Sequence, residues 1–330
     1  MDQFPLVSII IVNFNGKDLL KNCLNSLSQI TYKNHEIILV DNNSTDDSVD
    51  FTKTNYPRVL ITSLEKNFGY AYPNNLGSQK AKGKYIFFLN NDTKVTPSFL
   101  ESIVNEMEND SKIGICQSLL LKPNGSVDSS GDFIDSLGVP FSSKKMIKTK
   151  RKILSAKGAA MMVRKSVFEK LGGFDENFFI TFEDVDLGWR CWINGFEVYL
   201  IPDSVVYHYG GLTIQKNLIN IDFHGAKNHM IMKLTNFESN LSKKILFYFF
   251  VKYGIQMIKV WFQFKTIGKT TIYSSKYEKK FSRNPSFKSI ISALIWIIKH
   301  DNYLKNRKKM ISSNRLKTTK ELQNLSLILP

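Results

Sequence analysis

The stretch KGKYIFFLNNDTKV (residues 82–95) drives an apolar run, Tyr85 to Leu89, straight into Asn90, Asn91 and Asp92. A short apolar run bounded by polar residues reads as a strand buried on both faces. In open α/β sheets ligands collect outside the carboxyl ends of such strands. Asn and Asp also populate ordinary turns, so these residues alone leave both a ligand site and a chain reversal open.

Working outward, the same punctuation recurs. VSIIIVNF (7–14) is β-branched and apolar, and KDLLKNCLNSLSQI follows with Leu19, Leu20, Cys23, Leu24 and Leu27 at helical spacing. EIILVDNNSTDDS makes a second strand ending at Asp41, with Ser44 and Asp47 placed to cap a helix. RVLITSL is a third strand, and TPSFLESIVNEMEN reads as a helix with Thr96 as cap and Pro97 at its first position. This β-α alternation predicts an α/β fold with a mostly parallel sheet.

The second half opens with KIGICQSLLL, crosses a Gly- and Ser-rich stretch (124–145) and resumes at KGAAMMVRKSVFEKLGGFDENFF. There Ser166 and Glu169 have capping-box spacing, and Gly172-Gly173 closes a short helix. ITFEDVDLGWRCWINGFEVYLIPDSVVYHYGG then brings an acid pair, an aromatic-rich helix, a strand and His208 into one compact unit. No Walker P-loop or G-x-G-x-x-G occurs, so the usual phosphate cradles are absent.

The chain of 330 residues can bury a sizeable core without staples. Cys23, Cys116 and Cys191 lie far apart with no C-x-x-C spacing, which suggests neither a disulfide framework nor a zinc site. The N-terminus MDQFPLVSIIIVNF lacks the basic-then-apolar pattern of a secretory signal, so a cytoplasmic setting is expected. The formal charge of +16 is uneven: beyond residue 230 there are 20 Lys and Arg against 4 acidic residues. Between them stand KILFYFFVKYGIQMIKVWFQFK (244–265) and FKSIISALIWIIKH (287–300), aromatic and aliphatic residues rimmed by lysine. Lys252 and Lys259 interrupt the first, each costing several kcal/mol at mid-membrane, so a helix in the interface of an anionic membrane is expected rather than a span. A pair of amphipathic core helices would show the same pattern. The charge sits on no nucleic-acid-reading motif, and no nucleic-acid partner is expected.

VSIIIVNFNG, LVDNNSTDDS, KNFGYAYPNNLG, KGKYIFFLNNDT, GAAMMVRKSVFEKLGGFDENFFITFEDVDLGWR and PDSVVYHYGG, in that order, resemble the signatures of the family 2 glycosyltransferases of the GT-A fold. Within the family they look like the rhamnosyltransferase-like branch. The resemblance covers residues 7 to about 211 and implies an inverting, metal-dependent transfer of a sugar from a UDP- or dTDP-sugar. The implied acceptor is a lipid-linked or polysaccharide chain of the cell surface, and the implied cofactor Mg2+ or Mn2+, for which oxygen ligands are suited. FFLNND resembles the family's metal-binding Asp-x-Asp, with Asp92 in the last position and Asn90 a neutral substitute for the first.

By the same resemblance Asp41 accepts from the N3–H of uracil or thymine, while Asn13, Asn15 and Gly16 line the base and ribose. Gly69, Asn74 and Asn75 resemble the donor loop, with Pro73 where glycine is common; Asn90 and Asn91 stand with the donor, and His208 in a position that can contact metal or diphosphate. Glu183-Asp184 match the acid pair holding the general base: Asp184 is assigned as base, Glu183 as its support, Asp186 as structural. An acid pair opening a helix would also complement its dipole. The expected organisation is a donor half (1–115), an acceptor and catalytic half (116–235) and a helical membrane-associating region (236–330). A non-catalytic nucleotide-sugar or glycan-binding protein of the same fold is the alternative.

Overall fold

A computed structural model describes residues 4–210, 220–244, 251 and 287–329. The strand β1 (Val7–Asn13) is followed by α1 (Lys17–Leu27), β2 (His35–Asp41), α2 (Ser48–Asn55), β3 (Leu60–Ser63), α3 (Ala71–Lys80), β4 (Tyr85–Asn90), β5 (Thr93–Val95) and α4 (Phe99–Asn109). Then come β6 (Ile113–Leu121), β7 (Val127–Ser129), β8 (Asp132–Asp135), β9 (Pro140–Ser142), β10 (Arg151–Lys152), β11 (Ala160–Arg164), α5 (Lys165–Lys170), α6 (Glu183–Ile193) and β12 (Glu197–His208).

The main sheet runs β10-β12-β6-β11-β4-β1-β2-β3, with β5 beside β12 and β7 beside β6. Strands β1, β2, β3 and β4 are mutually parallel, as are β6 and β12, while β11 runs antiparallel between the two sets. Because side chains alternate across a strand, β1 sends Ile10 to one side with Ile38, Val40 and Phe88. It sends Val7, Ile9 and Ile11 to the other, against Leu20, Cys23, Leu24 and Leu27 of α1. Both faces are covered, which is why the strands read as unbroken apolar runs. Gly77 lets α3 lie close: a Cβ there would stand 2.6 Å from Ile10 Cγ2.

Asp47 stands at the expected N-cap of α2, though its side chain makes no capping bond, while three other expected cap residues are engaged elsewhere. Ser44 turns back onto Asp41, and α2 starts only at Ser48. Thr96 donates to Val205 O, so α4 begins after Ser98. Ser166 lies inside α5, and no capping-box bond forms there; Glu169 instead stands 3.9 Å from Lys165.

The C-terminal helix Asp301–Ser313 buries Leu304, Arg307 and Ile311 against the domain. Arg307 donates through Nε to Asp175 at 2.7 Å and through its other nitrogens to Asp186 and Asn236. Asp186, also bonded by Arg190 at 2.7 Å, is thus the hub tying α6 to the C-terminal helices, in keeping with its structural assignment. Asp301–Ser313 and the helix Phe287–Lys299 both pack on Ile221–Thr235. Beyond them, Ile328–Leu329 pairs in parallel with β8. Most of the apolar stretch 244–265 lies outside the described residues. Among the described residues no helix is long and apolar enough to cross a membrane.

Candidate active site

Strand order reverses at β1, with β2 on one side and β4 on the other, so the carboxyl ends of these three strands open a crevice. Asn13 and Asp41 stand in register at its lip, and Val12 pairs with Asn90. Asp41 is buried and held by short bonds: Ser44 donates from Oγ at 2.6 Å and from its backbone N at 2.8 Å, and Asn13 Nδ2 at 3.2 Å. Asn13 Oδ1 in turn accepts from Asn91 Nδ2 at 2.8 Å, so one polar chain runs across the switch point from Asp41 to the triplet. Asn15, at φ 49°, holds the loop after β2 by accepting from Thr45 N at 2.7 Å. A Cβ on Gly16 would stand 2.4 Å from Asn91 Nδ2, so glycine allows this loop to lie on the triplet.

At the other end, β5 pairs antiparallel with the end of β12, and Thr93 faces His208. That register brings Asp92 Oδ1 within 3.4 Å of His208 Nε2. Both atoms are buried, and apart from this contact with each other neither has a hydrogen-bond partner. Two bare buried ligand atoms from an oxygen and an imidazole donor suit a hard divalent cation whose remaining ligands come from substrate phosphates. The residues therefore fit a two-ligand site; among the described residues no group of three or more His, Cys, Asp or Glu does. Burial alone would push the His208 imidazole down, but its hydrogen bond with Asp128 and the nearby Asp92 raise it to about 9. Asp128 is driven the opposite way, down to about 2: its burial is overruled by His208 and by the charges of Lys144 and Lys157.

The acid pair opens α6 behind a strained loop. Phe179, Thr181 and Phe182 all have positive φ, between 60 and 68°, a conformation costing about 1–3 kcal/mol each for non-glycine residues. Asn228, fully buried on the helix Ile221–Thr235, holds the loop by donating to Phe178 O, Ile180 O and Thr181 O at 2.7 to 2.9 Å. His224 stacks on Phe179 with ring centroids 4.8 Å apart. Phe179 O also accepts from Tyr70 N at 2.6 Å, and a Cβ on Gly69 would lie 2.3 Å from it. The loop before α3 and the loop before α6 thus touch backbone to backbone.

Asp184 accepts from Val185 N at 2.8 Å and Gly158 N at 3.0 Å. Burial raises its carboxyl above the usual range, while Lys157 pulls it back down. Glu183 is raised further, by burial and by the charge of Asp184 beside it, and its Oε2 is buried without a partner. Lys157 bonds Asp132 at 3.1 Å. Two adjacent buried acids, one of them drawn down by a lysine, have their protonation set by each other and by Lys157.

The profile of the family described as Glycosyl transferase family 2 matches residues 8–172, half of the chain. The chain belongs to that family. This glycosyl transferase is 31% identical over 224 residues to the O-antigen biosynthesis protein RfbC of Myxococcus xanthus, covering 62% of this chain but 17% of that protein. It is 24% identical over 233 residues to the N-acetylglucosaminyl-diphospho-decaprenol L-rhamnosyltransferase of Mycobacterium tuberculosis, covering 62% of this chain and 76% of that one. Its fold is shared with mannosyltransferase PcManGT from Pyrobaculum calidifontis, solved with GDP-Man and Mn2+: TM-score 0.56, 13% identity, 95% of this chain and 86% of that one. S. aureus TarS 1-349 in complex with UDP gives TM-score 0.52 and 18% identity over 73% of this chain and 69% of that one.

In this family 2 glycosyl transferase, Asn13, Asn15, Asp41 and Asn91 form one hydrogen-bonded group, and Asp92 meets His208. Asn90 ends β4 one residue before the group. Asn75 donates to Phe174 O at 2.8 Å and to Glu176 Oε1 at 3.1 Å and accepts from Phe174 N at 2.9 Å, bracing the chain that leads into α6. Neighbouring Asn74 is buried, and its Nδ2 donates to the carbonyl of Tyr70, the residue just before α3. Asp128, Asp132, Lys157 and Asn228 were not singled out by sequence. Asp128 and Asp132 flank the Ser-Ser-Gly of the stretch 124–145, where acids among small residues are the one local signal.

Proposed function

We propose that the protein moves a sugar, with inversion, from a UDP- or dTDP-sugar to a lipid-linked or polysaccharide acceptor in cell-surface glycan synthesis. The observation carrying this is the pair of bare buried ligand atoms, Asp92 Oδ1 and His208 Nε2, beside the Asp41 network at the switch point. The name of the mycobacterial relative, a rhamnosyltransferase acting on a decaprenol-linked sugar, supports rhamnose as the leading donor and a lipid-linked acceptor. The Mn2+ in the PcManGT structure supports a divalent cation, Mg2+ or Mn2+.

Asp41 accepts from the N3–H of the uracil or thymine, a hydrogen cytosine lacks. Asp92 and His208 hold the cation, which when bound neutralises charge on the departing diphosphate. Asp184 takes the proton of the acceptor hydroxyl as that oxygen bonds to the anomeric carbon from the face opposite the diphosphate. The bond from the anomeric carbon to the diphosphate oxygen breaks, and nucleoside diphosphate leaves. Glu183 supports the base, and no second nucleophile is required. Residues 1–115 serve the donor, 116–235 the acceptor, and 236–330 keep the enzyme on the cytoplasmic face of an anionic membrane. The exposed Ile291, Ile295 and Ile298 on one face of Phe287–Lys299 support the last assignment.

A donor screen tests the proposal. Membrane extract is supplied as acceptor, and free UDP, dTDP, GDP and CDP are quantified with and without Mn2+. Metal-dependent release from a UDP- or dTDP-sugar is expected; release from GDP- or CDP-sugars alone would overturn the Asp41 assignment.

A further inference from the structure

We propose that Asp128 is a positioning residue that orients His208 for the divalent cation, so that the acceptor-side hairpin controls metal binding at the donor site. The inference rests on the proposed Asp92–His208 site.

Leu121 of β6 pairs with Val127 of β7 on one side and with Tyr207 of β12 on the other. From these strands on opposite sides of β6 the two side chains meet, with Asp128 Oδ2 2.8 Å from His208 Nδ1. Asp128 is itself anchored: Lys144 donates to its backbone carbonyl and stands 3.5 Å from Oδ1. A carboxylate accepts, so the hydrogen of that bond sits on Nδ1. The imidazole is thereby turned with Nε2 toward Asp92 Oδ1, 3.4 Å away, and neither of these buried atoms has another partner. An outer carboxylate that fixes the ring and tautomer of a metal-binding histidine, and raises its basicity, typically governs affinity by 10- to 100-fold. Here that carboxylate comes from a hairpin (Val127–Ser129 on β6) in the acceptor half, whereas Asp92 comes from the donor half.

Calorimetric titration of the full chain with Mn2+ in saturating UDP tests this, using Asp128→Ala, Asp128→Asn and His208→Ala. Asp128→Ala should weaken Mn2+ by about 10- to 100-fold while leaving UDP affinity without metal unchanged. Asp128→Asn should recover most of the loss, because its amide oxygen still accepts from Nδ1–H. If the alanine variant does not fold, Asp128→Ser, too short to reach the ring, should show the same loss. Wild-type Mn2+ affinity in Asp128→Ala or Asp128→Ser, with His208→Ala impaired, overturns the role of Asp128 alone. Wild-type affinity in all of them, His208→Ala included, overturns the metal site and this inference with it.

Discussion

Replacing Asp184 by Asn separates basicity from shape. The carboxylate accepts two backbone bonds, from Val185 N at 2.8 Å and Gly158 N at 3.0 Å. An Asn offers one oxygen and one NH2, so one of those N–H groups meets a donor and loses its partner, at about 1–3 kcal/mol. Against that, the substitution removes a buried charge that the site disfavours, as the raised carboxyl shows. The net stability change is therefore small, a few degrees of Tm at most. Turnover responds differently: without a base, the acceptor hydroxyl must lose its proton to water, and the rate falls by about two to four orders of magnitude, or about 3 to 5 kcal/mol of barrier. Steady-state release of nucleoside diphosphate on the true donor and acceptor, with the donor KM measured alongside, gives both quantities. Near wild-type turnover in a folded Asp184→Asn would refute the base assignment and move attention to Glu183. A matched loss of donor binding and rate would mean that the carboxylate holds the loop rather than the proton.

Lys157 lowers the Asp184 carboxyl, so Lys157→Met should raise it, and the acidic limb of the kcat/KM profile should move to higher pH because the base must be ionised; an unmoved limb would show that Lys157 acts through Asp132 alone. Arg307→Met leaves Asp175 without its guanidinium and Asp186 with only Arg190 and Asn236, so chemical denaturation should show a loss of about 3–5 kcal/mol, whereas a surface-like effect below about 1 kcal/mol would deny the buried linkage. Wild type should float with anionic vesicles at low salt and Ile295→Glu/Ile298→Glu should not; equal flotation would remove Phe287–Lys299 from the membrane contact.

The β-α order and the strand-end positions of Asn13, Asp41 and Asp92 were legible because a sheet buried on both faces forces apolar runs that stop where chemistry begins. The caps were only partly so: Asp47 does stand at the start of α2, but Ser44 Oγ accepts from Asn15 N and Thr96 donates to Val205 O, partners that only the tertiary fold supplies. Asp128 was hidden for a similar reason: its neighbour His208 lies 80 positions away, on a strand across β6 from its own. Arg307 read as one more charge in a basic tail, yet it reaches Asp186 across 121 positions into a buried network. Asn75 matched a motif by type, and its bonds to Phe174 and Glu176, about a hundred positions on, could not be read from the sequence.

Whether Asp92 and His208 together hold the cation decides the account most directly, and anomalous diffraction at the manganese edge from crystals grown with UDP and Mn2+ answers it. The expected result is a peak within bonding distance of Asp92 Oδ1, His208 Nε2 and the diphosphate oxygens. A manganese peak on the diphosphate that touches neither side chain, or none in the crevice with UDP bound, would contradict it.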